Sequence, residues 1–126
     1  KLLHLQLCLL STIQNRADQI LINFLTNACK HTRQGTITLG CSLTENPDCF
    51  TFSVTDTGEG VPDDMAEEIF ERFAKLDAFK QGTGLGLNIC RTIAELLGGK
   101  VMLDTKYKSG GARFVFILPC HRMEKF

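Results

Sequence analysis

The amino-acid sequence predicts a two-layer α/β sandwich, in which helices pack on one face of a mixed β-sheet. Two observations support this fold class. Several stretches alternate apolar with polar residues, which is typical of strands with one covered and one wet face. Two longer stretches, residues 16–30 and 85–97, repeat apolar residues at the helical period. The chain has 126 residues, so we expect residues 1–126 to form a single domain.

The sequence of the first half of the chain predicts strands before and after one helix. Leu3, Leu5 and Leu7 alternate with His4 and Gln6, which indicates a first strand. The elements expected next are a helix at residues 16–30, a strand at 36–43, a turn at 46–48 and a strand at 50–55.

The second half begins with a Gly/Pro loop and predicts two helices followed by two strands. The helix expected at residues 85–97 is strongly amphipathic and ends at Gly98 and Gly99. The other expected elements are a short helix at residues 63–73 and strands at 101–107 and 113–118.

Composition excludes several classes of protein. Fourteen basic residues balance fourteen acidic ones, so no global charge favours nucleic acid or an anionic membrane. No apolar run reaches the ~20 residues of a membrane span, and no signal peptide is apparent. None of the six cysteines forms a Cys-x-x-Cys pair, which favours reduced thiols in a cytosolic domain. We therefore expect a cytoplasmic domain without nucleic-acid or membrane contacts of its own.

Asn23, Asn27 and Lys30 lie along one stripe of the first predicted helix, because residues three and four apart are neighbours on a helix surface. Asparagine is a mediocre helix former, so two of them beside an apolar face need a reason. An amide oxygen suits Mg²⁺, whose shell phosphate oxygens and water would complete. Lys30 would then neutralise phosphate charge. A polar helix flank with satisfied amides is the alternative.

Asp56 continues the strand face that carries Phe50, Phe52 and Val54, so its carboxylate is expected to point toward the core. A buried carboxylate needs a partner, and the exocyclic amine of adenine is a suitable donor. Gly58 would let the base approach the backbone closely. The alternative is an aspartate that begins a tight turn, which is a common use of Asp-x-Gly.

The glycine-rich run at residues 82–87 leads directly into the second long helix. Backbone N–H groups at a helix N-terminus form an anion site when glycines free them. The run is neither a Walker A loop nor a dinucleotide Gly-x-Gly-x-x-Gly motif. A flexible hinge is the alternative.

Four motifs in this order resemble those of the catalytic, ATP-binding domain of sensor histidine kinases. That domain has the Bergerat fold and belongs to the superfamily of gyrase B, the Hsp90 chaperones and MutL. The resemblance runs from about residue 16 to residue 119. The matching segments are residues 23–30 (N box, extended by His31 and Thr32), 56–60 (G1 box), 69–73 (F box) and 82–87 (G2 box).

The resemblance implies an ATP site with Mg²⁺ as cofactor. Asn27 would be the Mg²⁺ ligand, Asn23 a phosphate or metal contact, and Lys30 a phosphate contact; these three form the catalytic set. Asp56 would take the adenine amine and His31 would stack on the base. The implied ATP-binding residues are Asn23, Asn27, Lys30, His31, Asp56, Gly58, Gly60, Val61, Lys75, Gly82, Thr83, Gly84, Leu85, Gly86 and Leu87.

One residue identity distinguishes two reactions. ATP-hydrolysing relatives carry a glutamate where this chain has Asn23, and an amide cannot abstract a proton from water. The resemblance therefore implies phosphoryl transfer, in which the protein positions ATP and neutralises charge. Ala112 stands where relatives often carry Ser or Thr, so one hydrogen bond near adenine is missing or supplied by water.

The resemblance also implies partners outside the chain. Neither His4 nor His121 is followed by an acidic residue, so neither resembles a phospho-accepting histidine. The expected partners are a dimerisation and phosphoacceptor domain of the same protein and the receiver domain of a response regulator. A membrane anchor in the parent protein would place this domain on the cytoplasmic side. The alternatives are an anti-sigma-type serine kinase on the same fold and a pseudokinase that only binds nucleotide.

Overall fold

The computed structural model describes residues 2–45, 48–71 and 86–119, with side chains described for residues 14–43, 49–71 and 86–119. Within these ranges, two α-helices pack on one face of a four-stranded β-sheet, which confirms the predicted two-layer sandwich. The elements are α1 (Leu2–His31), β1 (Ile37–Glu45), β2 (Asp48–Asp56), 3₁₀ turns at Asp63–Met65 and Glu68–Phe70, α2 (Gly86–Leu96), β3 (Lys100–Leu103) and β4 (Arg113–Pro119).

The first predicted strand is wrong, because the alternating leucines near the N-terminus lie in α1 (Leu2–His31). This helix contains neither glycine nor proline over its 30 residues. Leucine and glutamine are good helix formers, and a short apolar run does not distinguish a strand from a helix by periodicity alone. The helix predicted at residues 16–30 is confirmed as the C-terminal half of α1.

The strand order is β1-β2-β4-β3, and every described pair is antiparallel rather than mixed. Strands β2 and β3 run in the same direction, and α2 lies between them in sequence. A parallel pair would form if these strands were neighbours. Instead β4 lies between them and pairs with both, so the expected parallel contact is absent among the described strands.

Two predicted elements are shorter in the structure. The helix expected at residues 63–73 is two separate 3₁₀ turns, and residues 72 and 73 lie outside the described residues. The strand expected to end at Tyr107 stops at Leu103, because Oδ1 of Asp104 accepts the Lys106 N–H at 3.0 Å and begins a turn. The strand predicted at residues 113–118 is confirmed as β4. The tip of the turn expected at residues 46–48 lies outside the described residues.

The core lies between the helices and the central strands β2 and β4. Phe24 of α1 contacts Phe114 of β4, with ring centroids 5.5 Å apart, and Phe70 meets the same ring at 6.0 Å. The α2 residues on the core side are Leu87, Cys90, Ile93 and Ala94. Leu96, at the end of the same helix, is 81% exposed.

Strand β1 is an edge strand whose apolar face is largely uncovered. Its register places Leu39 opposite Val54 and Leu43 opposite Phe50, so these side chains share the helix-side face of the sheet. Leu39 is 54% exposed and Leu43 is 58% exposed. The predicted alternation is therefore correct, but only Ile37 of this face packs against the core.

Candidate functional site

Asp56 is buried at the end of β2, as its place in the strand alternation predicted, with 2% of its surface exposed. Its Oδ1 accepts the Gly58 N–H at 2.9 Å and the Ala112 N–H at 3.3 Å. The Gly58 contact is the tight-turn geometry that the sequence left as an alternative. Because both bonds use Oδ1, Oδ2 has no hydrogen-bond partner among the described residues. The turn fixes the carboxylate and leaves one oxygen for a further donor.

The G1 segment packs directly against the C-terminal end of α1. A Cβ on Gly58 would collide with the carbonyl oxygen of His31, so only glycine fits at this approach. The Glu59 N–H donates to that same carbonyl at 3.4 Å. The side chains also meet, with His31 Nδ1 2.7 Å from Glu59 Oε1. These contacts join the N-box helix to the turn that carries Asp56.

The loop after α1 is tied to Thr57. The Thr57 hydroxyl accepts the Thr36 N–H at 2.9 Å, and the Thr57 N–H donates to the Thr36 carbonyl at 3.1 Å. Thr32 lies in the same loop, and its Oγ1 is buried without a hydrogen-bond partner among the described residues. The end of this loop is therefore held to Thr57 at Thr36, while the Thr32 hydroxyl is left without a partner among the described residues.

The turn between β3 and β4 forms the other side of the Asp56 site. Gly111 has φ +81°, and a Cβ there would collide with the carbonyl oxygen of Asp56. Gly60 has φ +77°, and its Cβ would lie 2.9 Å from the Gly111 carbonyl oxygen. Ala112 adds a backbone bond, because its carbonyl accepts the Asp56 N–H at 2.8 Å. The segment at residues 56–60 and the turn at residues 110–112 thus meet at Asp56.

Asn23, Asn27 and Lys30 follow one flank of α1, as their spacing predicted. Asn23 Nδ2 lies 3.5 Å from the carbonyl oxygen of Gly86, so this flank faces the start of α2. Lys30 is exposed and Asn27 is half-buried. Among the described residues, no heavy atom lies within 4 Å of the position that a Cβ on Gly86 would take.

The F-box segment, like the α1 flank, contacts the start of α2. Ile69 and Phe70 are buried in the core, and the Phe70 carbonyl accepts the Asn88 side-chain amide at 3.3 Å. Val61, which the resemblance placed in the ATP site, packs against the core cluster at its edge. Leu87, another member of that set, is buried. The site therefore has rigid support beneath the α2 N-terminus.

Several predicted site residues lie outside the described residues. They are Lys75, Gly82, Thr83, Gly84 and Leu85. Sequence reasoning did not identify the backbone of Gly111 and Ala112 as part of the site. The adjacent glycines were a turn signal, but no local pattern shows that this turn reaches Asp56.

The described residues contain no group of three His, Cys, Asp or Glu side chains able to hold a metal ion. The four cysteines with described side chains, Cys29, Cys41, Cys49 and Cys90, form no disulfide with one another. No helix in the described part of the chain is both long and apolar enough to cross a membrane.

The arrangement of Asp56, its glycines and the asparagine flank agrees with a known family. Residues 12–122 match the family of histidine kinase-, DNA gyrase B- and HSP90-like ATPases. The chain belongs to this family. The Sensor protein SrrB of Staphylococcus aureus is 40% identical over 111 residues, which cover 83% of this chain and 18% of SrrB. The chain therefore spans less than a fifth of that relative's length.

Solved histidine kinases share the fold. Full-length ShkA, in complex with AMPPNP, superposes with a TM-score of 0.72 at 38% identity, over 82% of this chain and 21% of ShkA. The nucleotide-free catalytic domain of the histidine kinase ThkA gives a TM-score of 0.70 at 30% identity, over 83% of this chain and 66% of that domain. The resemblance that the four motifs indicated is thus confirmed, and this domain is an ATPase domain of the sensor-kinase type.

Proposed function

We propose that this domain binds Mg-ATP and donates the γ-phosphoryl group to a histidine on a separate dimerisation domain of the same protein. The observation that carries the proposal is the buried Asp56 carboxylate, whose Oδ1 is held by two backbone N–H groups. Its other oxygen can accept the adenine amine. A hydrogen bond to a charged acceptor contributes about 1.5–3 kcal/mol, which is enough to select a base that carries an N–H donor.

The amide oxygen atoms on the α1 flank are suitable ligands for Mg²⁺. This ion prefers oxygen ligands and keeps several waters, so one or two protein ligands beside substrate phosphates are sufficient. Asn27 would supply an amide oxygen to the metal, and the exposed Lys30 ammonium would offset phosphate charge. When bound beside Asn27, the ion would supply positive charge that offsets the phosphate charge. No larger cluster of acidic ligands is required at such a site.

The remaining residues would position the nucleotide. His31 lies against Glu59 at the end of α1, where it would contact the base. Gly58 and Gly60 would shape the base site by letting their segment pack against the backbone of His31 and Gly111, and Gly86 would lie beside the phosphates at the start of α2. Asn23 is an amide, so it cannot act as a general base for water. We therefore expect transfer to a delivered nucleophile and negligible hydrolysis by the isolated domain.

The partners follow from the reaction. A histidine on a dimerisation domain would receive the phosphoryl group, and a receiver domain of a response regulator would take it onward. SrrB is a sensor protein by name, and its greater length leaves room for such domains. The proposed compartment is the cytoplasm, where ATP is available.

The decisive experiment supplies the phosphoacceptor region of the parent protein to this domain with labelled Mg-ATP. We expect label on the acceptor that is lost in acid, because phosphohistidine is acid-labile. Acid-stable label would indicate a serine kinase instead. A domain that shows a thermal shift with millimolar Mg-ATP but transfers no label would be a pseudokinase, and the absence of any shift would contradict nucleotide binding. Rapid hydrolysis by the domain alone would contradict the transfer mechanism.

A further inference from the structure

His31 and Glu59 are joined by two contacts, one between their side chains and one through the backbone. His31 Nδ1 lies 2.7 Å from Glu59 Oε1, and the Glu59 N–H donates to the His31 carbonyl oxygen at 3.4 Å. Gly58 permits this approach, because a Cβ there would collide with the same carbonyl oxygen. The turn after β2 therefore meets the last residue of α1 through both main chain and side chain.

The Glu59 carboxylate determines which nitrogen of the imidazole carries a proton. An ionised carboxylate only accepts hydrogen bonds, so His31 Nδ1 is the donor in this pair. A neutral imidazole has a single N–H, which is then on Nδ1. The His31 side chain is 14% exposed, whereas that of Glu59 is 57% exposed. Because a ring N–H donates in the plane of the ring, the carboxylate holds a largely buried imidazole in one tautomer and one plane.

We propose that Glu59 is a positioning residue, whose carboxylate fixes the tautomer and the ring plane of His31 for contact with the adenine base. The inference rests on the proposed function for the identity of that ligand. A side chain that is already ordered loses less conformational freedom when a ligand packs on it, so the ligand binds more tightly than to a mobile ring. Glu59 acts through the imidazole and is not assigned a contact with the nucleotide.

The tautomer is testable without nucleotide. Long-range ¹H–¹⁵N spectra of ¹⁵N-labelled protein in alkaline buffer distinguish protonated from unprotonated ring nitrogens, and a His31→Ala spectrum identifies the His31 signals. We expect wild-type His31 to be protonated at Nδ1. Glu59→Gln, whose amide oxygen still accepts from Nδ1, should preserve this state, whereas Glu59→Ala should shift it toward the Nε2–H form. Glu95→Ala, which removes an exposed carboxylate from α2, should leave the signals unchanged.

The effect on the ligand is tested by a double-mutant cycle. We expect Glu59→Ala to weaken Mg-ADP binding about two- to tenfold, as the loss of order in one side chain predicts. Glu59→Gln should retain most of the affinity. In a His31→Ala background, Glu59→Ala should have no further effect, because Glu59 acts only through His31. Isothermal titration calorimetry measures each affinity, and circular dichroism checks that each variant is folded.

Three results would overturn the proposal. One is a wild-type His31 protonated at Nε2 alone, or an Nδ1–H state that persists in Glu59→Ala. Another is a Mg-ADP affinity that is unchanged in Glu59→Ala, or that falls equally in Glu59→Gln and so depends on the charge. The third is a loss that adds fully to that of His31→Ala, since additive losses indicate a general packing effect. If the wild-type domain binds no Mg-ADP, the proposed function fails, whereas the tautomer still decides whether Glu59 fixes the ring.

Discussion

Asp56 and Ala112 are 56 residues apart in sequence and exchange two hydrogen bonds. The Asp56 N–H donates to the Ala112 carbonyl at 2.8 Å, and the Ala112 N–H donates to Asp56 Oδ1 at 3.3 Å. The carboxylate therefore belongs to the backbone framework of the sheet as much as to the candidate site. Oδ1 holds the backbone, whereas Oδ2 is the oxygen proposed to bind adenine. A substitution can therefore separate the stability of the fold from nucleotide binding.

Asp56→Asn should separate fold from binding. The asparagine Oδ1 can still accept the N–H groups of Gly58 and Ala112, but Nδ2 would present a donor to the adenine amine, which is itself a donor. We expect adenine nucleotide affinity to fall roughly 100-fold or more while the melting temperature changes little. Isothermal titration calorimetry measures the first quantity. Asp64→Asn, the same change at an exposed position, should leave both unaltered.

Unaltered nucleotide affinity in Asp56→Asn would remove the adenine role from this carboxylate. A large loss of stability in that variant would instead show that the charge itself supports the fold.

Gly110 and Gly111 form a matched pair for testing the close approach to Asp56. Both have positive φ, +87° and +81°, but only a Cβ on Gly111 meets backbone atoms. Alanine in the left-handed region costs about 1–2 kcal/mol at either position. We expect Gly111→Ala to be destabilising by a further 2 kcal/mol or more, roughly the cost of overpacking. Urea unfolding of the two variants measures this difference, and equal losses would contradict the proposed contact.

Thr32→Val should stabilise the domain. The Thr32 hydroxyl is buried without a partner among the described residues, and such a group costs about 1–3 kcal/mol. Valine has nearly the same shape without the hydroxyl. We expect a gain of about 1 kcal/mol, or roughly 3–6 °C in melting temperature. Thr32→Ser keeps the hydroxyl and should show no gain. A loss of stability in Thr32→Val would mean that the hydroxyl has a partner in solution.

Because of the Cys90 thiol, the free energy of unfolding should change with pH in the alkaline range. Burial raises its pKa from 9.0 to about 11, opposed by hydrogen bonds with Asn23 and the backbone. The folded state therefore binds the proton more tightly than the unfolded chain. This contribution is fully present below about pH 9 and is lost as pH rises toward 11.

Unfolding experiments at pH 8 and 10.5 would measure that loss. The free energy of unfolding of the wild type should fall by about 2 kcal/mol relative to that of Cys90→Val. The comparison cancels the titration of other groups. Cys29→Val, at an exposed cysteine, should show no such relative change. Parallel pH profiles for wild type and Cys90→Val would contradict a buried, protonated thiol.

Local periodicity explains why part of the site could be predicted from the sequence. The alternation along β2 placed Asp56 on the core side, and the helical period placed Asn23 and Asn27 on one flank. Both features depend only on residue spacing within one element. The same reasoning gave the helix at residues 16–30 and the strands β1, β2 and β4.

Features that depend on distant residues were not predictable. The bond from Ala112 to Asp56, the contact of Asn23 with Gly86 and the packing of Gly58 on His31 each join different elements. The strand order β1-β2-β4-β3 could not be predicted either, because local patterns do not show which strand lies between two others. The N-terminal leucines were misassigned since alternation over five residues fits either a strand or a helix.

The contacts of Gly58, Gly60 and Gly111 mean that the walls around Asp56 are built largely from main chain. Main-chain groups cannot be removed by substitution, and side chains cannot be added where the glycines touch. An inhibitor that binds against this main chain would therefore meet few positions at which a substitution could confer resistance. Escape variants would be expected at its margin, where His31 and Glu59 present replaceable side chains.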